Sequence, residues 1–444
     1  MSRIVNSVIV LSTALFLNTA AHNQTSAQSL SFDVIDYNLR LEPDIDRKSI
    51  NGKQRVKLVA RTSELKEVEF NCGELTIDAV TEKGSPQKFV RRESKLIISL
   101  ARPIKTNELR ELEIDYHGTP RLGIRFFPDR QQVYTVFSTS QWMVCVDAPE
   151  DKATIVLALV LSPTLTAVAN GSPAEASSLP SGKVSHVWIQ RRPIPTYIFG
   201  FAVGKFRTTT ESYGDHLALR YMSDQYSDAE MRRIFRDTRD MLEFYESRAG
   251  VRYADSVYTQ VLAAGGVEQE MSSFTALRET YGREVLANER EIWLGAHEFA
   301  HQWWGNMVTC RDWTHFWLNE GMASFMASAY KEHRFGRKEY LRDIEEYRAN
   351  YEKVHKEGKD RSLVFPDWNN PTAADRTLVY DKGAYVLHLL REEMGERAFW
   401  RGIRNYTRSY FGKSVTSRDF QRAMQEVSRK DLTAFFGKWV YLTK

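Results

Sequence analysis

The spacing of the apolar residues changes once along this 444-residue chain, and that change fixes the two kinds of layer it can build. Between about Ser31 and Thr210, apolar residues alternate in short runs such as Tyr37-Leu39-Leu41 and Val56-Leu58-Ala60. Turn signals separate the runs at Asn51-Gly52, Lys83-Gly84 and His117-Gly118. Alternation sends successive side chains to opposite faces of a strand, so this half reads as an antiparallel, sandwich-like β domain. After Ser227 the spacing lengthens to three and four. Met231, Ile234, Phe235, Thr238, Met241, Leu242 and Tyr245 form one stripe, the mark of a helix with a buried face. Ser227 and Glu230 can form a capping box at its start, and Gly250 is placed to end it. Ser256 to Ala264 has strand character; the remainder is mainly helical, ending with the amphipathic stretch Leu432 to Tyr441. The expected class is α+β, with a β domain over 28–210 and a mainly helical domain over 211–444.

The helical half carries a candidate metal site. His297 and His301 stand four apart in His297-Glu298-Phe299-Ala300-His301, and residues at that spacing share one helix face. Their imidazoles can therefore converge on a single ion. Glu298, one step on, is rotated by about 100° and can address a water rather than the metal. Glu320, in Leu318-Asn319-Glu320-Gly321, is a candidate third ligand from a second helix-like segment. Two His and one carboxylate leave a fourth zinc position open, as catalytic sites do. An ordinary half-buried helix could carry the same two His. However, Ile292, Trp293, Ala296, Phe299, Ala300, Trp303 and Trp304 make the segment apolar on most sides. Polar groups in such surroundings are expensive unless they are paired or bind metal.

On these residues the chain resembles the aminopeptidase-N and leukotriene-hydrolase family of zinc metallopeptidases, the gluzincins. The resemblance runs from about residue 33 to the C-terminus. HEFAHQWWGN from His297 to Asn306 and WLNEGMA from Trp317 to Ala323 match that family's zinc block. Gly265-Gly266-Val267-Glu268-Gln269 resembles its Gly-x-Met-Glu-Asn segment, departing at Val267 and Gln269. Tyr380-Asp381-Lys382-Gly383-Ala384 matches its Tyr-x-Lys-Gly-Ala. Asp147 to Ala153 and Phe201 to Phe206 resemble landmarks of its β domain.

The resemblance implies a thermolysin-like catalytic domain holding one Zn2+ per chain on His297, His301 and Glu320, with Glu298 as general base. It implies peptide substrates with a free N-terminus, whose α-ammonium Glu268 would bind while Gly265 and Gly266 let the backbone approach. Tyr380 would donate to the developing oxyanion. Lys382 is expected to be solvated, and Gln141 is a candidate second contact to the amine. Ser256 to Ala264 could serve as an edge strand for an extended peptide. Larger relatives carry a further C-terminal helical domain, so a pared-down form with a more open cleft is expected. Two other readings stay open: a zinc endopeptidase, should Glu268 not close the cleft, and a catalytically silent binding module. The second would be expected to have lost metal ligands, and all three are present.

Charge and the N-terminus bound the setting. A formal net charge of +4 with no long Lys/Arg block gives no sign of nucleic acid binding. Arg3, the mostly apolar stretch Ile4 to Leu17 and the small residues Thr19, Ala20 and Ala21 read as a signal peptide, with a second possible cleavage point after Ala27. Residues 1–27 are assigned to it. That predicts a secreted or periplasmic protein with no stable membrane span after cleavage. Cys72, Cys145 and Cys310 are too few for a disulfide framework.

Overall fold

The structure, a computed structural model, describes residues 31–442 apart from 267, 367, 369 and 370. The signal peptide expected over 1–27 lies outside the described residues. No helix among the described residues is long and apolar enough to cross a membrane.

The alternating half is all sheet. Its largest sheet runs Ser172–Ser178, Val184–Pro195, Lys152–Leu161, Phe32–Asp44, Ser49–Ala60, Leu109–Gly118, Thr76–Glu82 and Ser85–Pro86. Neighbours are antiparallel except Phe32–Asp44 with Lys152–Leu161, which run parallel. A three-stranded and a four-stranded sheet complete the domain. Inward residues of all three, among them Tyr37, Leu58, Ile98, Ile114 and Phe201, form one core together with Trp142.

One turn expectation is corrected. Asn51-Gly52 lies inside the strand Ser49–Ala60, and the chain reverses at 45–48 instead. Gly52 is set by packing: a Cβ there would come within 2.2 Å of the Tyr116 ring on the neighbouring strand. The apolar run from Ala153 forms two strands, Lys152–Leu161 and Thr166–Ala169, which join different sheets.

The chain passes to the second domain between Phe201–Gly204 and Arg207–Tyr213. The latter strand opens a sheet ordered Arg207–Tyr213, Leu217–Ser223, Val257–Ala263 and Phe274–Arg278. Val257–Ala263 is therefore interior, and the expected edge is corrected to Phe274–Arg278. Even that edge is partly occupied, because Gln269 exchanges both main-chain hydrogen bonds with Ala276. The capping box Ser227/Glu230 and the left-handed Gly250 stop both form. Between them the single expected helix is broken into Asp228–Ile234 and Thr238–Ala249. Tertiary bonds compete with helix there: buried Asp237 accepts from Arg334 at 2.8 Å, and Thr238 donates to Gln260 at 2.7 Å.

The two domains meet along an apolar seam. Tyr134, Val136, Val168, Ala202 and Phe206 of the four-stranded region pack with Met222, Val261, Ala263, Met271 and Phe274.

Candidate active site

The helix Trp293–Ala300 presents His297 and Glu298, and His301 caps its C-terminal end. The first turn of Trp317–Phe335 presents Glu320. All four side chains are buried. The two Nε2 atoms lie 3.1 Å apart, and each is 3.4 Å from Glu320 Oε2. Ligand bonds of about 2.0–2.1 Å at tetrahedral angles separate donors by about 3.3 Å, so the triad fits a zinc ion. The far ring nitrogens are already occupied. His301 Nδ1 is 3.0 Å from the Trp304 carbonyl, and His297 Nδ1 is 3.4 Å from Ser324 Oγ. These bonds leave both Nε2 atoms for the ion. Trp293 stacks on the His297 ring at 4.8 Å and Tyr380 lies parallel to it at 5.9 Å.

Glu298 does not join the triad. Its Oε2 is buried and has no hydrogen-bond partner among the described residues, a costly state that a water or substrate group would relieve. Burial pushes its carboxyl well above the usual range; His301 opposes this, while Glu270, Glu268 and Glu320 add to it. Tyr380 sits in a wide π turn, Leu378–Lys382, that leads into the helix Gly383–Met394. Such single-turn insertions re-aim side chains and often mark functional sites. Desolvation, then the nearby Glu320, raises the phenol well above its ordinary value, so it stays a proton donor.

The glycine-glutamate segment differs from the expectation. Gly265 has φ +92°, and a Cβ there would stand 2.8 Å from the Phe127 ring; Gly266 is exposed and unobstructed. Glu268 is only partly buried and already has a cation, Arg278, at 2.6 Å. Two residues on, Glu270 is buried to 5% exposure, with no Lys or Arg in its ion pairs among the described residues. Gln269 Nε2 donates to its carboxylate, and Asn306 Nδ2 donates to its carbonyl at 3.0 Å. Burial pushes the Glu270 carboxyl up to about 7, with His301 opposing. Glu270 was missed by the sequence reading because the motif match ended at Gln269.

Comparison with known proteins decides the family. Residues 34–198 match the peptidase M1 N-terminal domain and residues 235–439 the peptidase family M1 domain. The chain carries both domains of peptidase family M1. Among similar proteins is Tricorn protease-interacting factor F2 of Thermoplasma acidophilum, 23% identical over 91% of this chain and 52% of that protein. Another is Leucine aminopeptidase 2 of Aspergillus oryzae, 27% identical over 76% of this chain and 57% of that one. The M1 chain thus spans about half the length of these curated relatives. A crystal structure of M1 zinc metallopeptidase from Deinococcus radiodurans shares its fold, with a TM-score of 0.77 at 23% identity over 93% of this chain and 94% of that one. A variant of that metallopeptidase bound to a Tyr-Ser-Ala substrate superposes at 0.79 with 22% identity, covering the same shares.

One further assignment in this M1 chain changes. Lys382 is not solvated: its side chain is fully buried, with Nζ 2.7 Å from Asp360 Oδ1 and 3.0 Å from the Arg361 carbonyl. The π turn carries it inward as it carries Tyr380 to the metal side. Gln141 ends against Gly73, inside the β domain. The helices bearing Glu320 and Tyr380 touch through glycines. A Cβ on Gly321 would lie 2.8 Å from Gly383 Cα, so a larger residue at either position drives the two side chains apart.

Proposed function

We propose that this M1 chain is a zinc-dependent aminopeptidase that removes residues from the N-termini of peptides. The observation that carries it is the buried carboxylate Glu270 beside the metal-binding triad, which pairs with no Lys or Arg among the described residues. A peptide's α-ammonium would supply that cation through a charge-assisted hydrogen bond, fixing cleavage one residue from the end. Glu268 can contribute to the same acidic end, although Arg278 already neutralises much of its charge.

His297, His301 and Glu320 would hold the zinc. When bound, the ion polarises the scissile carbonyl and eases deprotonation of the attacking water. Glu298 accepts that proton on its unpartnered Oε2 and delivers it to the leaving amine. Tyr380 donates to the oxyanion, and Gly265 and Gly266 leave the backbone free to approach the substrate. The bound Tyr-Ser-Ala of the Deinococcus variant supports a peptide in this cleft. Arg3, the Ile4 to Leu17 stretch and the small residues after it support export, to the periplasm or outside the cell.

The Glu268–Arg278 pair favours one second reading, an endopeptidase whose amine anchor is already neutralised. Aminoacyl-chromophore and N-acetylaminoacyl-chromophore substrates separate the two. Acetylation should lower kcat/KM at least about tenfold, since a charged hydrogen bond is worth about 1.5–3 kcal/mol. Equal cleavage of both substrates by the zinc-loaded protein would leave the endopeptidase.

A further inference from the structure

The two segments that bear metal ligands are tied together by a side chain from the other domain. Tyr197 belongs to the β domain, on the short 3-10 turn Thr196–Ile198, and is 6% exposed. Its hydroxyl donates to the Gly305 carbonyl at 3.2 Å and accepts from Asn319 Nδ2 at 3.0 Å. Gly305 follows Trp304, whose carbonyl meets His301 Nδ1. Asn319 immediately precedes Glu320. One phenol therefore contacts the loop around one imidazole ligand and the helix turn bearing the carboxylate ligand.

Both ends of this bridge are fixed. In the β domain, Thr196 donates to the Val146 carbonyl and its own carbonyl accepts from Thr139, each at 2.7 Å. Trp313 packs edge-on against the Tyr197 ring at 5.1 Å. In the catalytic domain, Asn319 Oδ1 accepts from the Cys310 amide at 3.0 Å. The loop end has no room for slack. Gly305 has φ +131°, and a Cβ there would reach within 2.8 Å of His301 Nδ1. A second β-domain group holds the same loop further along, where Lys152 Nζ donates to the carbonyls of Met307 and Lys413 at 3.2 Å.

We propose that Tyr197 is a positioning residue for the metal centre, so that docking of the β domain sets how tightly the His297, His301 and Glu320 ligands hold their ion. Groups that orient metal ligands from behind typically change metal affinity by about 10–100-fold when removed. Tyr197 orients two of the three at once. The β domain is then part of the metal site.

The test is zinc affinity of the full chain, read by competition with a chromogenic chelator, together with thermal unfolding of metal-free and zinc-loaded protein. Tyr197→Phe keeps the ring and its contact with Trp313 and removes only the hydroxyl. The expected result is a zinc dissociation constant raised about 10–100-fold. The upward shift of Tm on adding zinc should shrink accordingly, because that shift reports affinity for the folded state. Asn319→Ala, made on the other side of the bridge, should weaken zinc over the same range, and the double variant should be no worse than the weaker-binding single. A role in packing alone would lower Tm equally with and without zinc and leave the dissociation constant unchanged, which overturns the proposal. Should Tyr197→Phe fail to fold, wild-type zinc affinity in Asn319→Ala overturns it as well.

Discussion

Two regions of the active site hold carboxylates, and they are built differently. In the helix pair, Glu298 and Glu320 ride on Trp293–Ala300 and Trp317–Phe335, and neither forms an ion pair with Lys or Arg among the described residues. In the turn at 268–270, the Glu268 carboxylate is neutralised by Arg278, the Glu270 carboxylate accepts from Gln269, and Asn306 holds the Glu270 main-chain carbonyl. On the proposed reading the helices offer charge to an ion and a water, and the turn offers it, at Glu270, to the cation of a substrate. A carboxylate that already has an internal cation gains less from the cation of a ligand, which on the proposed reading ranks Glu270 above Glu268.

The largest effects are expected in the helix pair. Glu298→Gln should retain zinc and lose about 100- to 10,000-fold in kcat, the usual range for a general acid–base group. Glu320→Gln should lose zinc itself, measured as metal content after dialysis against a weak chelator. The two failures must differ in kind. If Glu298→Gln lost the metal while Glu320→Gln kept it, the roles drawn from the 3.4 Å Glu320 contacts would be reversed.

The turn supplies the next test. Glu270→Gln should reduce kcat/KM for free-amine substrates about tenfold or more and leave acetylated ones nearly unaffected, erasing the preference between them. Glu268→Gln should have the smaller effect, since Arg278 at 2.6 Å has already compensated that charge. The opposite ranking would return the amine contact to Glu268, where the family pattern puts it, and the contrast between the regions would collapse.

This contrast also explains what the sequence could reveal. The i, i+4 spacing of His297 and His301 is a property of the helix alone, so the ligand pair was legible before any tertiary contact was known. The capping box at Ser227 and the stop at Gly250 were legible for the same reason. Glu270 was not: its direction depends on Gln269 pairing with Ala276, a contact set by the sheet edge. Lys382 was misread because a π turn shifts the register by one residue, and nothing in Tyr380-Asp381-Lys382 announces the insertion. The helix break at 235–237 depends on Arg334, nearly a hundred residues away. Local rules read local structure; the rest was decided by partners distant in sequence.

The smallest effect tests whether burial alone makes a site. Asp151 in the β domain is 2% exposed, about as buried as Glu270, and its Oδ2 has no hydrogen-bond partner among the described residues. Burial, then the neighbouring Asp33, pushes its carboxyl up to about 8. Its folded-state pKa thus lies above the unfolded value of about 3.9. As pH rises from about 4 to about 8, the unfolded chain has already released this proton while the native state still holds it, so stability falls across that window. Above the window the slope ends. Asp151→Asn keeps an acceptor for the Val34 amide and removes the titration. The variant's unfolding free energy, measured by denaturant titration, should therefore gain on wild type between about pH 4 and 8, by about 5 kcal/mol at most over about four pKa steps of about 1.4 kcal/mol each, then run parallel above it. Its kcat/KM and its preference for a free amine should stay within about twofold, well inside the tenfold expected at Glu270. A gap that stays constant between about pH 4 and 8 would mean that Asp151 is already ionised in the native state. A loss of amine preference like that of Glu270→Gln would mean that burying a carboxylate anywhere in this chain disturbs the cleft, and the distinction between the two regions would then rest on the metal ligands alone.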